Sequence, residues 1–157
     1  MTNLPGVGRA LSIVLAAALP LAGCGNPSSP SGPEGDLEEA RRTWSGQGID
    51  SYTFEVSQLC FCVAESRGTF AVTVVRGNVV SVTDAETGAP RTPGPFVPLT
   101  VEALFAKVED ALDRDAARID VRYDPRLGYP QEIAIDFIAL AIDDEVTYTA
   151  SDLAPLR

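Results

Sequence analysis

The 157-residue chain contains no histidine. That absence excludes Ser-His-Asp and Cys-His catalytic sites, HExxH zinc proteases and Cys₂His₂ fingers, all of which need an imidazole. Cations are also scarce, with 12 Lys+Arg against 22 Asp+Glu and a formal charge of −10. Nucleic acid is therefore not an expected partner, because phosphate binding needs a clustered Lys/Arg field. The compact apolar stretch from Ala10 to Leu19 falls short of the roughly 20 residues a transmembrane helix requires. What is present is enough apolar residue, 45%, to pack a core of one-domain size.

The N-terminus reads as an export signal. Arg9 precedes the apolar stretch, which ends in Leu21-Ala22-Gly23-Cys24. This order of charge, apolar run and small residues before a cysteine looks like a bacterial lipobox. Residues 1–23 are the expected signal peptide, and the Cys24 thiol is the expected site of acylation. Several acyl chains (diacylglyceryl, palmitate) satisfy the two-signal requirement for stable attachment to a bilayer. Residues 24–36 comprise the lipidated cysteine and a tether, Gly25 to Asp36, with three Pro, three Ser and three Gly in twelve residues. Gly25 after the cysteine implies the outer membrane, facing the periplasm, in a Gram-negative host; a Gram-positive host would carry the protein on its surface.

Residues 37–157 form a single expected domain. Leu37, Ala40, Arg41 and Trp44 lie at helical spacing behind Asp36 as N-cap. Tyr52, Phe54 and Val56 alternate with polar residues, and the same parity runs on to Cys60 and Cys62. Phe70, Val72 and Val74 begin a hairpin that turns at Arg76-Gly77-Asn78 into Val79–Val82. After a Pro/Gly-rich loop over 84–98, Thr100 caps a helix whose Val101, Leu104, Phe105, Val108 and Leu112 share one face. Three further strands are read at Ile119–Tyr123, Ile133–Phe137 and Val146–Ala150. The order predicts an α+β domain: an antiparallel sheet of about six strands with two helices on one face. It also suggests a helix-plus-three-strand duplication.

Two groups of residues carry latent chemistry. Cys60-Phe61-Cys62 in an exported chain points to a local disulfide. A thiol redox site, an intermolecular bridge and, least favoured, a metal site are the alternatives; two thiolates supply only half a tetrahedral set. A bridge there requires the strand to kink, since i and i+2 on a strand lie near the outer limit of disulfide reach. The second group is Tyr123, Asp124, Tyr129, Asp136, Asp144 and Glu145, a candidate ligand face. Its spacing does not match an EF-hand, and Asp124-Pro125 with Gly128 also reads as ordinary turn chemistry. Trp44, Tyr52, Tyr123, Tyr129 and Tyr148 are candidate pocket aromatics, although aromatics at strand and helix spacing more often belong to a core.

Trp44, Ser51-Tyr52-Thr53-Phe54, Cys60-Phe61-Cys62, and Tyr123-Asp124-Pro125 with Gly128-Tyr129-Pro130, Asp136 and Asp144-Glu145 together resemble a family of small bacterial lipoproteins known only as a domain of unknown function. The resemblance spans about residues 40–150. It implies export and one α+β domain, and it transfers no activity. The sequence reads as a membrane-anchored, non-enzymatic binding or envelope-interaction module with a protein partner in the envelope and no cofactor. The alternative is a thiol redox or small-ligand-binding protein that uses Cys60 and Cys62. Metabolic labelling with an alkyne fatty acid tests the anchor: wild type takes up label and Cys24→Ala does not, whereas equal labelling of both removes the lipoprotein reading.

Overall fold

The computed structural model describes residues 1–2, 32–141 and 143–157. The signal-peptide reading, lipidation at Cys24 and the tether up to residue 31 lie outside the described residues. Helix α1 (Pro33–Gly46) leads into β1 (Tyr52–Cys60), β2 (Thr69–Val75) and β3 (Asn78–Asp84). Helix α2 (Val101–Asp113) then leads into β4 (Arg118–Tyr123), β5 (Pro130–Asp136) and β6 (Val146–Pro155). The strands make one antiparallel sheet in the order β3-β2-β1-β6-β5-β4. This is the α+β architecture expected from the element order.

Alternation in sequence becomes sidedness in space. Tyr52, Phe54 and Val56 on β1, Phe70, Val72 and Val74 on β2, and Ile133 and Ile135 on β5 are all buried beneath the helices. The opposite face carries Thr53, Glu55 and Ser57 beside Thr69, Ala71 and Thr73, and it is open to water. An antiparallel sheet tolerates this arrangement because one apolar face suffices to hold it. Helix α2 presents Val101, Leu104, Phe105, Val108 and Ala111 to the sheet, and the Thr100 hydroxyl caps it by accepting from the Ala103 N–H at 3.0 Å.

The start of α1 and the end of β6 differ from expectation. Helix α1 starts at Pro33 instead of behind Asp36 as N-cap, so residues 33–36 are helical and not tether. Proline suits the first helical turn because its missing N–H would have no partner there, and Glu34 and Asp36 complement the helix dipole. Strand β6 continues past Ala150 to Pro155, carried over a bulge in which Asp152 and Leu153 oppose Phe54. Asp152 takes φ 53° at that bulge, a conformation that gives no hint in an alternation pattern.

The suggested duplication finds no geometric support. Three strands apart in an antiparallel sheet, β1 and β4 run in opposite directions. A rotation that carries β3-β2-β1 onto β6-β5-β4 and reverses their direction must also turn the sheet over. It would place α2 on the face opposite α1, yet the two helices touch on the same face, where Arg41 pairs with Glu109 at 2.9 Å.

Candidate functional site

Strand β1 ends at Cys60, and Cys62 lies just beyond it, bonded to Cys60. The two Cα atoms are 5.2 Å apart, closer than the roughly 6.5 Å spanned by i and i+2 on a regular strand, so the chain bends at Phe61. A turn of 3-10 helix over Ala64–Ser66 follows, and Arg67 folds back so that its guanidinium donates to the Cys62 carbonyl at 3.0 and 3.2 Å. Gly94 seats the long loop against this turn: a Cβ there would lie 2.2 Å from the Ser66 hydroxyl. Arg91 completes the frame, bonded to the Arg67 carbonyl, paired with Asp84 at 2.8 Å and lying over the Phe70 ring. The disulfide therefore sits on a rigid support.

The side chains around it are apolar and face water. Leu59 and Val63 are exposed, and Phe61 is 85% exposed. The loop between β5 and β6 reaches the same end of the sheet, since Val146 pairs with both Cys60 and Ile135. It adds exposed Ile138 and a 95% exposed Leu140. Asp143 and Glu145 line a shallow hollow of about 290 Å³ with Leu59, Cys60, Phe61 and Thr147. Glu145 and Asp136 also border a smaller hollow beside Arg118. Asp136 accepts from the Ile138 N–H at 3.1 Å and so holds the start of the loop. Both carboxylate oxygens of Asp144 are enclosed without a hydrogen-bond partner among the described residues.

Beneath the disulfide lies Gln58, the one buried polar residue in the helix-facing row of β1. Its Nε2 donates to Cys60 Sγ at 2.8 Å and lies 3.9 Å from Cys62 Sγ. A disulfide sulfur has no proton to give, so the amide nitrogen is the end that faces it. Gln58 Oε1 has no partner among the described residues. Alternation marks this position only as core; a polar side chain at that core parity just ahead of Cys60 is the signal that would have found it.

The remaining candidates lie at the other end of the sheet. Asp124 accepts from the N–H groups of Arg126 and Leu127 at 2.9 and 2.7 Å and from Gln131 Nε2 at 3.0 Å, so its carboxylate is consumed in the turn. Gly128, at φ +84°, lets α1 ride directly over that turn; a Cβ would lie 2.6 Å from the Ala40 carbonyl. Tyr129 is buried beside Trp44, and Tyr123 stacks on Phe105. The six ligand-face candidates thus divide into Tyr123, Asp124 and Tyr129 at one end and Asp136, Asp144 and Glu145 at the disulfide end. Trp44, Tyr52 and Tyr148 are core. Between α1 and α2 lies an open cleft of about 730 Å³, bordered by Trp44, Ile49 and Phe105. Its charged lining is already engaged, Arg41 with Glu109, Arg42 with Glu38, and Glu102 with Trp44. Among the described residues, no three Asp, Glu or Cys side chains gather as metal ligands.

A one-sided antiparallel sheet under two helices, with a disulfide-braced apolar tip at one end, is the class of protein this geometry defines. The chain belongs to DUF6174, a family of unknown function, whose model matches residues 36–155. No curated protein and no solved structure matches it.

Tyr123 allows a direct check of the packing at the far end. Its hydroxyl is buried with no partner among the described residues, and burial, reinforced by Asp36 and opposed by Arg41, pushes its pKa up to about 12. The folded state therefore favours the neutral phenol, a contribution complete below the unfolded value near 10 and lost as pH rises to about 12. Tyr123→Phe should leave stability at pH 7 undiminished and flatten its fall above pH 10. An unchanged alkaline slope in chemical denaturation would show that Tyr123 is not enclosed as described.

Proposed function

We propose that the protein is a membrane-anchored, exported lipoprotein whose domain binds a polypeptide partner through the apolar tip around Cys60–Cys62. The observation that carries this reading is the exposure of Leu59, Phe61, Val63, Ile138 and Leu140 at one end of the sheet. Scattered surface apolar residues are ordinary, but a group at one tip, set beside polar groups, marks an interaction site. Asp136, Asp143 and Glu145 set an acidic rim beside it. Such a surface suits an apolar segment flanked by Lys or Arg, and it opposes insertion into an anionic bilayer surface.

The attachment point fits the same reading. The first turn of α1 lies near Tyr123, since Asp36 and Tyr123 border one hollow at the end of β4. The tip lies beyond Asp136, which pairs with Arg118 at the opposite end of that strand. Six strand residues separate the two ends by roughly 20 Å. An acylated Cys24, joined to α1 through the tether, would hold the domain by one end and leave the tip directed away from the bilayer.

Selection from a random peptide library tests the surface. Wild type should enrich apolar, basic sequences, and the double variant Phe61→Ser/Leu140→Ser should lose that enrichment while Val80→Ser keeps it. All three positions are exposed, so the fold is not at stake. Equal enrichment by the double variant would sink the reading.

A further inference from the structure

We infer that Cys60–Cys62 is a thiol-exchange centre that oxidises cysteine thiols of a polypeptide, with Gln58 as its positioning residue. This goes beyond the docking reading and does not depend on the membrane anchor. The starting point is an imbalance in polarity. Gln58 is 8% exposed in an otherwise apolar row, and the only partner its amide nitrogen finds among the described residues is the disulfide. A disulfide sulfur is a weak acceptor, so burial of that N–H is poorly compensated. A thiolate in the same place accepts a charge-assisted hydrogen bond, which is far stronger. Gln58 is therefore better satisfied when Cys60 is reduced, and it biases the pair toward acting as an oxidant.

Three further features agree. Both cysteines are partly exposed at the tip, where a thiolate can reach them. The ring closed by the bond spans a sequence separation of 2, so opening it releases little chain entropy and leaves the fold held by its core. The exposed Leu59, Phe61 and Val63 flank the sulfurs on the same stretch of chain and offer apolar contact to an incoming peptide.

The asymmetry of the Gln58 contacts sets the direction of attack. A substrate thiolate attacks Cys62 Sγ and forms a new S–S bond with it. The Cys60–Cys62 bond breaks, and its electron pair passes to Cys60 Sγ, where the Gln58 N–H stabilises the thiolate. A second substrate thiolate then attacks the substrate sulfur of this mixed disulfide, and the electron pair of that bond passes to Cys62 Sγ. The substrate's two thiols have become a disulfide, the two protons they gave up end on Cys60 and Cys62, and the protein is left as a dithiol. A more oxidising protein disulfide returns it to the starting state.

The test uses the full chain purified in detergent, with reduced glutathione as the probe and peptide mapping to read Cys60 and Cys62 separately from Cys24. Glutathione should be found on Cys62, and Gln58→Met, similar in length but without the N–H, should slow its attack about tenfold. The same variant should be harder to reduce in glutathione buffers. A Gln58 that merely supported the oxidised fold would produce the opposite sign. In reduced wild type, the pH profile of Cys60 alkylation should lie below that of a free cysteine; this measurement needs no variant to fold. Adduct on Cys60, unchanged or easier reduction in Gln58→Met, or an ordinary Cys60 profile would each overturn the inference. Peptide-library binding is read independently, so loss of exchange does not count against docking, nor the reverse.

Discussion

The Tyr52 phenol is where the two helices and the sheet are tied together. Its hydroxyl accepts from the Val101 N–H at 2.8 Å, at the start of α2, and donates to Glu102 at 3.4 Å. The other Glu102 oxygen accepts from the Trp44 indole at 3.0 Å, and the Trp44 ring meets the Tyr52 ring edge-on. One residue of β1 thus satisfies an orphan donor at a helix start, and one carboxylate of α2 serves both aromatic side chains. Tyr52 is 1% exposed, and burial pushes its pKa well above the ordinary phenol range, opposed by the Val101 N–H and aided by Glu102. Both helices depend on this junction for their place on the sheet. Gly128 adds a close approach to the same stretch of α1, against Ala40, Thr43 and the Trp44 backbone.

With the helices anchored there, the other end of the sheet is free to differ in character. The core stops at Val56 and Gln58 on β1; from Leu59 onward the side chains turn outward and apolar surface meets water. Arg67, Arg91 and Gly94 hold the backbone of that end without covering its side chains. A backbone already held in place loses little further entropy when a partner covers its side chains. The surrounding carboxylates restrict which partners benefit. The tip and the disulfide are one structural unit, because the bend that exposes Phe61 is the bend the Cys60–Cys62 bond imposes.

Much of this fold was legible in residue order. The alternation at Tyr52–Val56 and Phe70–Val74, the Thr100 cap and the apolar face of α2 led directly to six strands and two helices on one side. What escaped were features written in backbone geometry. The bulge at Asp152 that extends β6 has no periodic signature, and Pro33 resembles tether until its helix is seen. The candidate site was half legible. Cys60 and Cys62 were visible as a pair, and the bend between them followed from reach alone. The division of Tyr123, Asp124 and Tyr129 from Asp136, Asp144 and Glu145 depends on which end of the sheet each strand reaches, a property of topology. Gln58 was hidden because alternation marks it as core and its polarity as loop, and only its contact with Cys60 resolves the conflict.

The central claim is that the tip is an independent chemical unit mounted on a scaffold that does not need it. Hydrogen–deuterium exchange of the full chain, oxidised and reduced, addresses this residue by residue. The account predicts faster exchange on reduction only around residues 58–68 and the adjoining loop before Val146, with protection unchanged at Tyr52–Val56 and throughout α2. Loss of protection across β1 and α2 on reduction would contradict it, and would make the disulfide a staple of the whole domain.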